Sequence, residues 1–368
     1  MAPVSRGHAS GRSPIPLTGR IPSAIVGYTV KPDLGTRVAP PTACASAAGK
    51  IILLGEHAVV YGQPAIAAPL SSLRATATVA PLPPGTPATI AAPDLGRTFL
   101  LDDSSSAAAD DPLVTTVRNT LAALRVPAAA PAFRLEVSSQ VPIARGMGSG
   151  AAVAAAIVRA LGAYYGEPLG AEEVSSLVFQ TERLLHGAPS GVDNTVIAYE
   201  RPVWFARGNA PQVLSAGAPF HWVVADTGIR AETRDVVADV HRSWQAERIR
   251  YERLFARMGD AVRAARRALS AGDAAALGRL MDENQALLGA LGVSCAALDA
   301  LIGAARAAGA LGAKLSGGGR GGVMIALVTA ATADSVEAAL RRAGAVQTIR
   351  TSLGPAAPAQ GEETIGTP

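Results

Sequence analysis

With 368 residues, 49% of them apolar and only 4% aromatic, the chain is long enough for two domains whose cores are built mostly from Ala, Leu and Val. The formal charge of +4 lies wholly in residues 1–40, where Arg6, Arg12, Arg20, Lys31 and Arg37 face Asp33 alone. The remaining 328 residues balance 28 basic against 28 acidic groups, which excludes a global basic field for nucleic acid.

Residues 1–40 are rich in Ser, Pro, Gly and Arg and poor in acids, so they read as a disordered basic extension; composition leaves a targeting peptide open as the alternative. "KIILLGE" is a short apolar strand closed by Gly. "SSLRATATVA" alternates Leu73, Ala75, Ala77 and Val79 on one face, and "FRLEVSS" does the same with Phe133, Leu135 and Val137, both at the period of a half-buried strand. After Pro142 comes a glycine loop and a helix over about Ala151 to Ala163, in which Arg159 interrupts an alanine-rich run too short to cross a membrane. "HWVVADTG" is a further strand. Turn residues near Ala216–Pro219 mark a boundary between a first domain at 41–217 and a second at 218–354.

The second half opens with helices. Leu254, Met258, Val262, Ala265 and Leu269 form one buried stripe, and Leu277, Leu280, Met281, Leu287, Leu288 and Leu291 a second. "AALDALIGAARAAGA" is a third helix with Ser294 expected as its N-cap. A second glycine loop and the strand "VMIALV" follow, and 355–368 reads as a disordered tail. Strands and helices mix without regular alternation, so the fold class is α+β. Cys44 and Cys295 cannot make a disulfide framework and lack metal-ligand spacing; two reduced thiols fit a cytoplasmic protein.

In "VPIARGMGSGAAVAAA", Gly146, Gly148 and Gly150 run into a helix start. Such a turn aims several backbone N–H groups at one point, where the helix dipole adds positive charge and missing Cβ atoms admit phosphate oxygens. It is neither a Walker A loop nor a Rossmann fingerprint, and a tight turn alone would also use these glycines. In "AKLSGGGRGGVMIAL", five of the six residues 317–322 are glycine. Two such loops make a polyphosphate clamp more credible than either does alone.

"TERLLHGAPSGVDN" sets Glu182 on a helix end and Asp193 beyond a turn. Phosphoryl transfer needs one carboxylate to hold Mg²⁺ and another to receive the acceptor's proton; a solvated helix face and an Asx turn are the plainer readings of the two. "AAGKIILLGEHAVVYG" adds Lys50, one of only three lysines beside 30 arginines, with Glu56 and His57.

These segments resemble the signature motifs of the GHMP kinases. "GKIILLGEHAVVYG" is similar to the first motif in the form it takes among mevalonate kinases, "PIARGMGSGAA" to the second and "KLSGGGRGGV" to the third, in the family's order over roughly residues 43–330. The resemblance implies an N-terminal ribosomal-protein-S5-domain-2-like domain and a C-terminal ferredoxin-like domain. It implies ATP and Mg²⁺ as cofactors and ATP-dependent phosphorylation of the 5-hydroxyl of mevalonate. A sibling kinase acting on phosphomevalonate or homoserine, or a non-catalytic ligand sensor, is the alternative. It also implies Asp193 as base with Lys50 beside it, and Glu182 with Ser149 as metal ligands. Arg145, Gly146, Met147, Gly148, Ser149, Gly150 and Ala151 would hold the ATP phosphates, with Gly317, Gly318 and Gly319 opposite. Glu56, His57 and Ser190 would line the substrate. No membrane or nucleic-acid partner is expected, and the sequence leaves the oligomeric state open, with a homodimer among the options. Two departures stand out: Gly150 replaces the family's second serine, and Arg320 stands where glycine is usual.

Overall fold

The computed structural model describes residues 41–102, 111–127, 132–186 and 189–354. The expected basic extension and the C-terminal tail lie outside the described residues. Eleven strands and nine α-helices occur among those described.

The first sheet holds β1 (Ala43–Leu54), β2 (Ala65–Pro81), β3 (Thr89–Ala92), β4 (Arg97–Leu100), β5 (Phe133–Ser139), β6 (Val203–Phe205) and β7 (Gln212–Val213), in the order β4-β3-β5-β2-β6-β7 with β1 antiparallel to β2. The alternation read in 71–80 and 133–139 is that of β2 and β5: Leu73, Ala75, Ala77, Val79, Phe133, Leu135 and Val137 are buried. β1 and β2 extend well beyond the short runs visible in sequence, because they pair with each other along almost their whole length. Four helices complete this half: α1 (Pro112–Ala123), α2 (Ser149–Tyr164), α3 (Ala171–His186) and α4 (Val192–Tyr199). α2 is buried on nearly every side against β1 and β2, which explains its alanines: a central helix in close contact with a sheet has no room for long side chains.

The second sheet is built from β8 (Phe220–Asp226), β9 (Gly312–Ser316), β10 (Val323–Val328) and β11 (Gln347–Leu353), antiparallel in the order β11-β8-β10-β9. Helices α5 (Thr233–Ala246), α6 (Arg248–Ala271), α7 (Ala274–Ala290) and α8 (Ala296–Ala307) fill the connection from β8 to β9, and α9 (Ala333–Arg342) joins β10 to β11. This is the ferredoxin-like βαββαβ order with an enlarged first crossover. Both leucine stripes face inward on α6 and α7, with Leu254 and Leu280 only half-buried and Leu291 capping the C-terminus of α7. The N-cap of α8 is Cys295, not Ser294, whose hydroxyl instead donates to Asp299 at 2.6 Å, one helical turn further on. Among the described residues no helix is long and apolar enough to cross a membrane.

Candidate functional site

β1 carries Lys50 into the interior, where it is 3% exposed, and its backbone N–H donates to Met147 O at 2.9 Å. The side chain runs beneath the first glycine loop and ends 3.0 Å from Asp193 Oδ1. Asp193 is the second residue of α4, not part of a free loop; its carboxylate sits in the first turn, where the helix dipole favours negative charge. Gly148 explains the fit. A Cβ there would lie 2.9 Å from Ile197 Cδ1 and 3.0 Å from Lys50 Cγ, at a φ of +72° that side chains resist.

Gly148 is also the N-cap of α2, and no side chain caps that helix, so Ser149, Gly150 and Ala151 present their backbone donors at an uncapped N-terminus. The second glycine loop closes on the first: a Cβ on Gly317 would sit 3.4 Å from Gly146 Cα. Met147 is fully buried, so only its backbone is available at the loop. Arg145 does not point its guanidinium outward. Nε lies 3.4 Å from the buried Asp226 on β8, and Nη1 is buried without a hydrogen-bond partner among the described residues.

Glu182 lies on α3, about one turn before its end, buried beside the Lys50–Asp193 pair. Burial and the negative charge of Asp193 push its carboxyl up to about 8, against the opposing pull of Lys50. A Cβ at Gly150 would stand 3.5 Å from Glu182 Oε1, so the position where the family has its second serine faces this carboxylate. Ser149 donates its hydroxyl to Val141 O at 3.1 Å, which leaves its oxygen lone pairs open.

The remaining sequence candidates join the two halves. Glu56 is 1% exposed; one carboxylate oxygen is bound by Lys314, itself 0% exposed, and the other accepts from Asn284 Nδ2 at 3.2 Å. It serves as the internal counter-ion of Lys314. His57 donates from Nε2 to Gly318 O at 2.9 Å and so fastens the first motif to the third. Burial, aided by the nearby Arg320 charge, lowers its pKa to about 4 despite that hydrogen bond. The folded protein therefore holds His57 neutral where the unfolded chain binds a proton. Stability is expected to be complete above pH 6.5 and to fall as pH drops toward 4; a His57→Gln variant followed by thermal melts across that window should show a flatter pH dependence. Arg320, at a φ of +57°, ties its loop to α5 through an ion pair with Asp239. Ser190 Oγ accepts from Val192 N at 3.3 Å at the entry to α4.

Sequence reasoning missed Lys314, Asn284 and Ser316. The Ser316 hydroxyl accepts from Ile52 N at 2.9 Å and donates to Ile52 O at 3.1 Å, pinning β9 to β1. For Lys314 one signal existed: it is one of three lysines in a chain with 30 arginines.

The GHMP kinases N terminal domain model matches residues 113–201, and the GHMP kinases C terminal model matches 265–346. A mevalonate kinase of Thermococcus onnurineus is 37% identical over 297 residues, covering 77% of this chain and 88% of that protein. A mevalonate kinase of Pyrococcus horikoshii is 35% identical over 321 residues, covering 83% and 94%. Among solved structures, L. major mevalonate kinase in complex with R-mevalonate superposes with a TM-score of 0.73 at 31% identity, covering 87% of this chain and 98% of that one. The two glycine loops meeting over a Lys–Asp pair, the two-sheet order and relatives matched across most of their length all agree: the chain belongs to the GHMP kinase family.

Proposed function

We propose that the protein transfers the γ-phosphoryl group of ATP to the 5-hydroxyl of mevalonate. The observation that carries this reading is the Lys50–Asp193 pair at 3.0 Å, seated under an uncapped helix N-terminus that a second glycine loop covers. The names of the relatives supply the acceptor. Asp193 accepts the hydroxyl proton as the oxygen attacks, and Lys50 offsets the negative charge that develops on that oxygen. The α2 N-terminus and the loop of Gly317, Gly318 and Gly319 hold the phosphates. Positioning and electrostatics do most of the work, since phosphoryl transfer asks little covalent chemistry of the protein.

The residues also fit a divalent cation. Glu182 is a buried carboxylate raised by its own burial and by Asp193, so a cation beside it would favour its charged form; Ser149 offers a second oxygen. Mg²⁺ there would neutralise charge on the transferring phosphate. Gly150→Ser adds an oxygen facing Glu182. The new Cβ would meet Leu185 Cδ1 at 2.7 Å, the far end of an exposed, flexible side chain that can turn aside. The Mg²⁺ concentration for half-maximal rate is expected to fall in this variant. A sharp rise in a Mg²⁺ titration would mean the glycine serves backbone approach instead.

ADP release measured with mevalonate, phosphomevalonate, homoserine and galactose tests the substrate assignment. Mevalonate is expected to stimulate turnover far above the others. Stimulation by another acceptor alone would replace the substrate, and ligand binding without ADP would make the protein a sensor.

A further inference from the structure

Behind the Lys50–Asp193 pair lies a polar node that none of the GHMP motifs contains. α4 is only eight residues long, too short to hold its own shape in water, so its orientation depends on what fixes its ends. Asp193 is at its N-terminal end. At the other end Arg159, from the middle of α2, donates through Nη2 to Ala198 O at 2.8 Å and Ile197 O at 3.2 Å. Those carbonyls belong to the last turn, where a cation also complements the helix dipole.

The same guanidinium reaches β1. Its Nη1 donates to Ser46 O at 3.0 Å and to Glu200 Oε1 at 2.7 Å. Glu200 is the C-cap of α4 in a left-handed conformation, with φ +47°. Its carboxylate also accepts from Arg74 Nη2 at 2.9 Å and from the Ala48 N–H at 3.1 Å. The β1–β2 register slips between Ala48 and Gly49, so Glu200 takes up a strand donor at the irregularity, two residues before Lys50. Burial alone would raise the Glu200 carboxyl, but the hydrogen bonds and charges of Arg159 and Arg74 outweigh it and hold it low. An exposed ion pair would count for little here. This one is different: one planar side chain bridges four acceptors on two chain segments, and both segments lead directly to the reacting pair.

We propose that Arg159, with Glu200 as its counter-ion, is a positioning residue that holds Asp193 against Lys50 by locking the far end of α4 to β1. It touches neither substrate nor nucleotide. The inference rests on the reading of Asp193 and Lys50 as the reacting pair, which Asp193→Asn tests separately: near-normal turnover in that variant would remove the reading itself.

The test compares Arg159→Met, Arg159→Lys and Glu200→Gln, assayed well below the melting temperature of each. In Arg159→Met, kcat is expected to fall by about 10- to 100-fold, the range that a misplacement of about 1 Å produces. KM for ATP and for mevalonate should stay within about threefold, because the phosphate loops keep their own supports. Arg159→Lys keeps the charge but cannot bridge all the acceptors, so partial rescue is expected. Hydrogen exchange should quicken over 192–200 and stay unchanged over 149–158. A folded Arg159→Met with kcat within about twofold of the parent would overturn the proposal, as would KM rising in step with the loss of kcat. If Arg159→Met does not fold, Glu200→Gln decides: slower turnover at unchanged KM supports the proposal, and unchanged turnover overturns it.

Discussion

Asp193→Asn is expected to lower kcat by about a thousandfold or more while ATP affinity stays within a few-fold. Proton acceptance by a positioned side chain contributes about 10²- to 10⁴-fold. The amide keeps the shape of the carboxylate but cannot take the proton. It also removes the counter-charge of Lys50, which is 3% exposed and has Asp193 as its ion-pair partner. On the proposed assignment the phosphate donors are backbone groups of α2 and of the loop 317–319, which the substitution leaves intact, so nucleotide affinity is expected to be spared. Single-turnover rates and equilibrium ATP titration separate the two effects. A variant with near-normal kcat would mean that the base lies elsewhere.

The largest stability effect is expected at Lys314. Its ammonium is completely buried; burial pushes its pKa down and Glu56 pulls it back up. Removing one partner of such a pair leaves the other charge in the interior without compensation, at a cost of about 3–5 kcal/mol. Lys314→Met should therefore melt well below the parent by calorimetry. Glu56→Gln combined with Lys314→Met should recover most of that loss, because the buried charge is then gone from both sides. If the double variant were no more stable than Lys314→Met, the cost would come from packing around Lys314 and not from an orphaned carboxylate. The pair also has a functional consequence. Together with His57–Gly318 and Ser316–Ile52 it fixes the first motif to the strand that delivers the third, so the spacing of the two glycine loops is built from the interior.

The glycine loops, the strands of period two and the leucine stripes of α6 and α7 were legible in the sequence because each is a local property: backbone freedom, alternation and helical repeat are written within a few residues. The structure brings Lys50, Asp193 and Glu182 beside the two glycine loops, a grouping that the sequence offered only through the resemblance to the GHMP kinases and not through spacing. The short helix beneath Asp193 was not legible, since eight residues after "APSG" carry too little periodicity to stand apart from a turn.

What the tertiary structure alone decided is where charge is buried. Glu56 looks like a pocket residue when read beside His57, and it becomes an internal counter-ion only because Lys314 and Asn284 arrive from positions 258 and 228 residues away. Arg159 looks like an interruption in an alanine-rich helix, yet it closes α4 through partners on a different helix and a strand. The chain by itself determined which residue types could perform the chemistry. Folding determined which of them meet water and which meet each other, because the cost of a buried charge depends on partners that sequence proximity does not reveal.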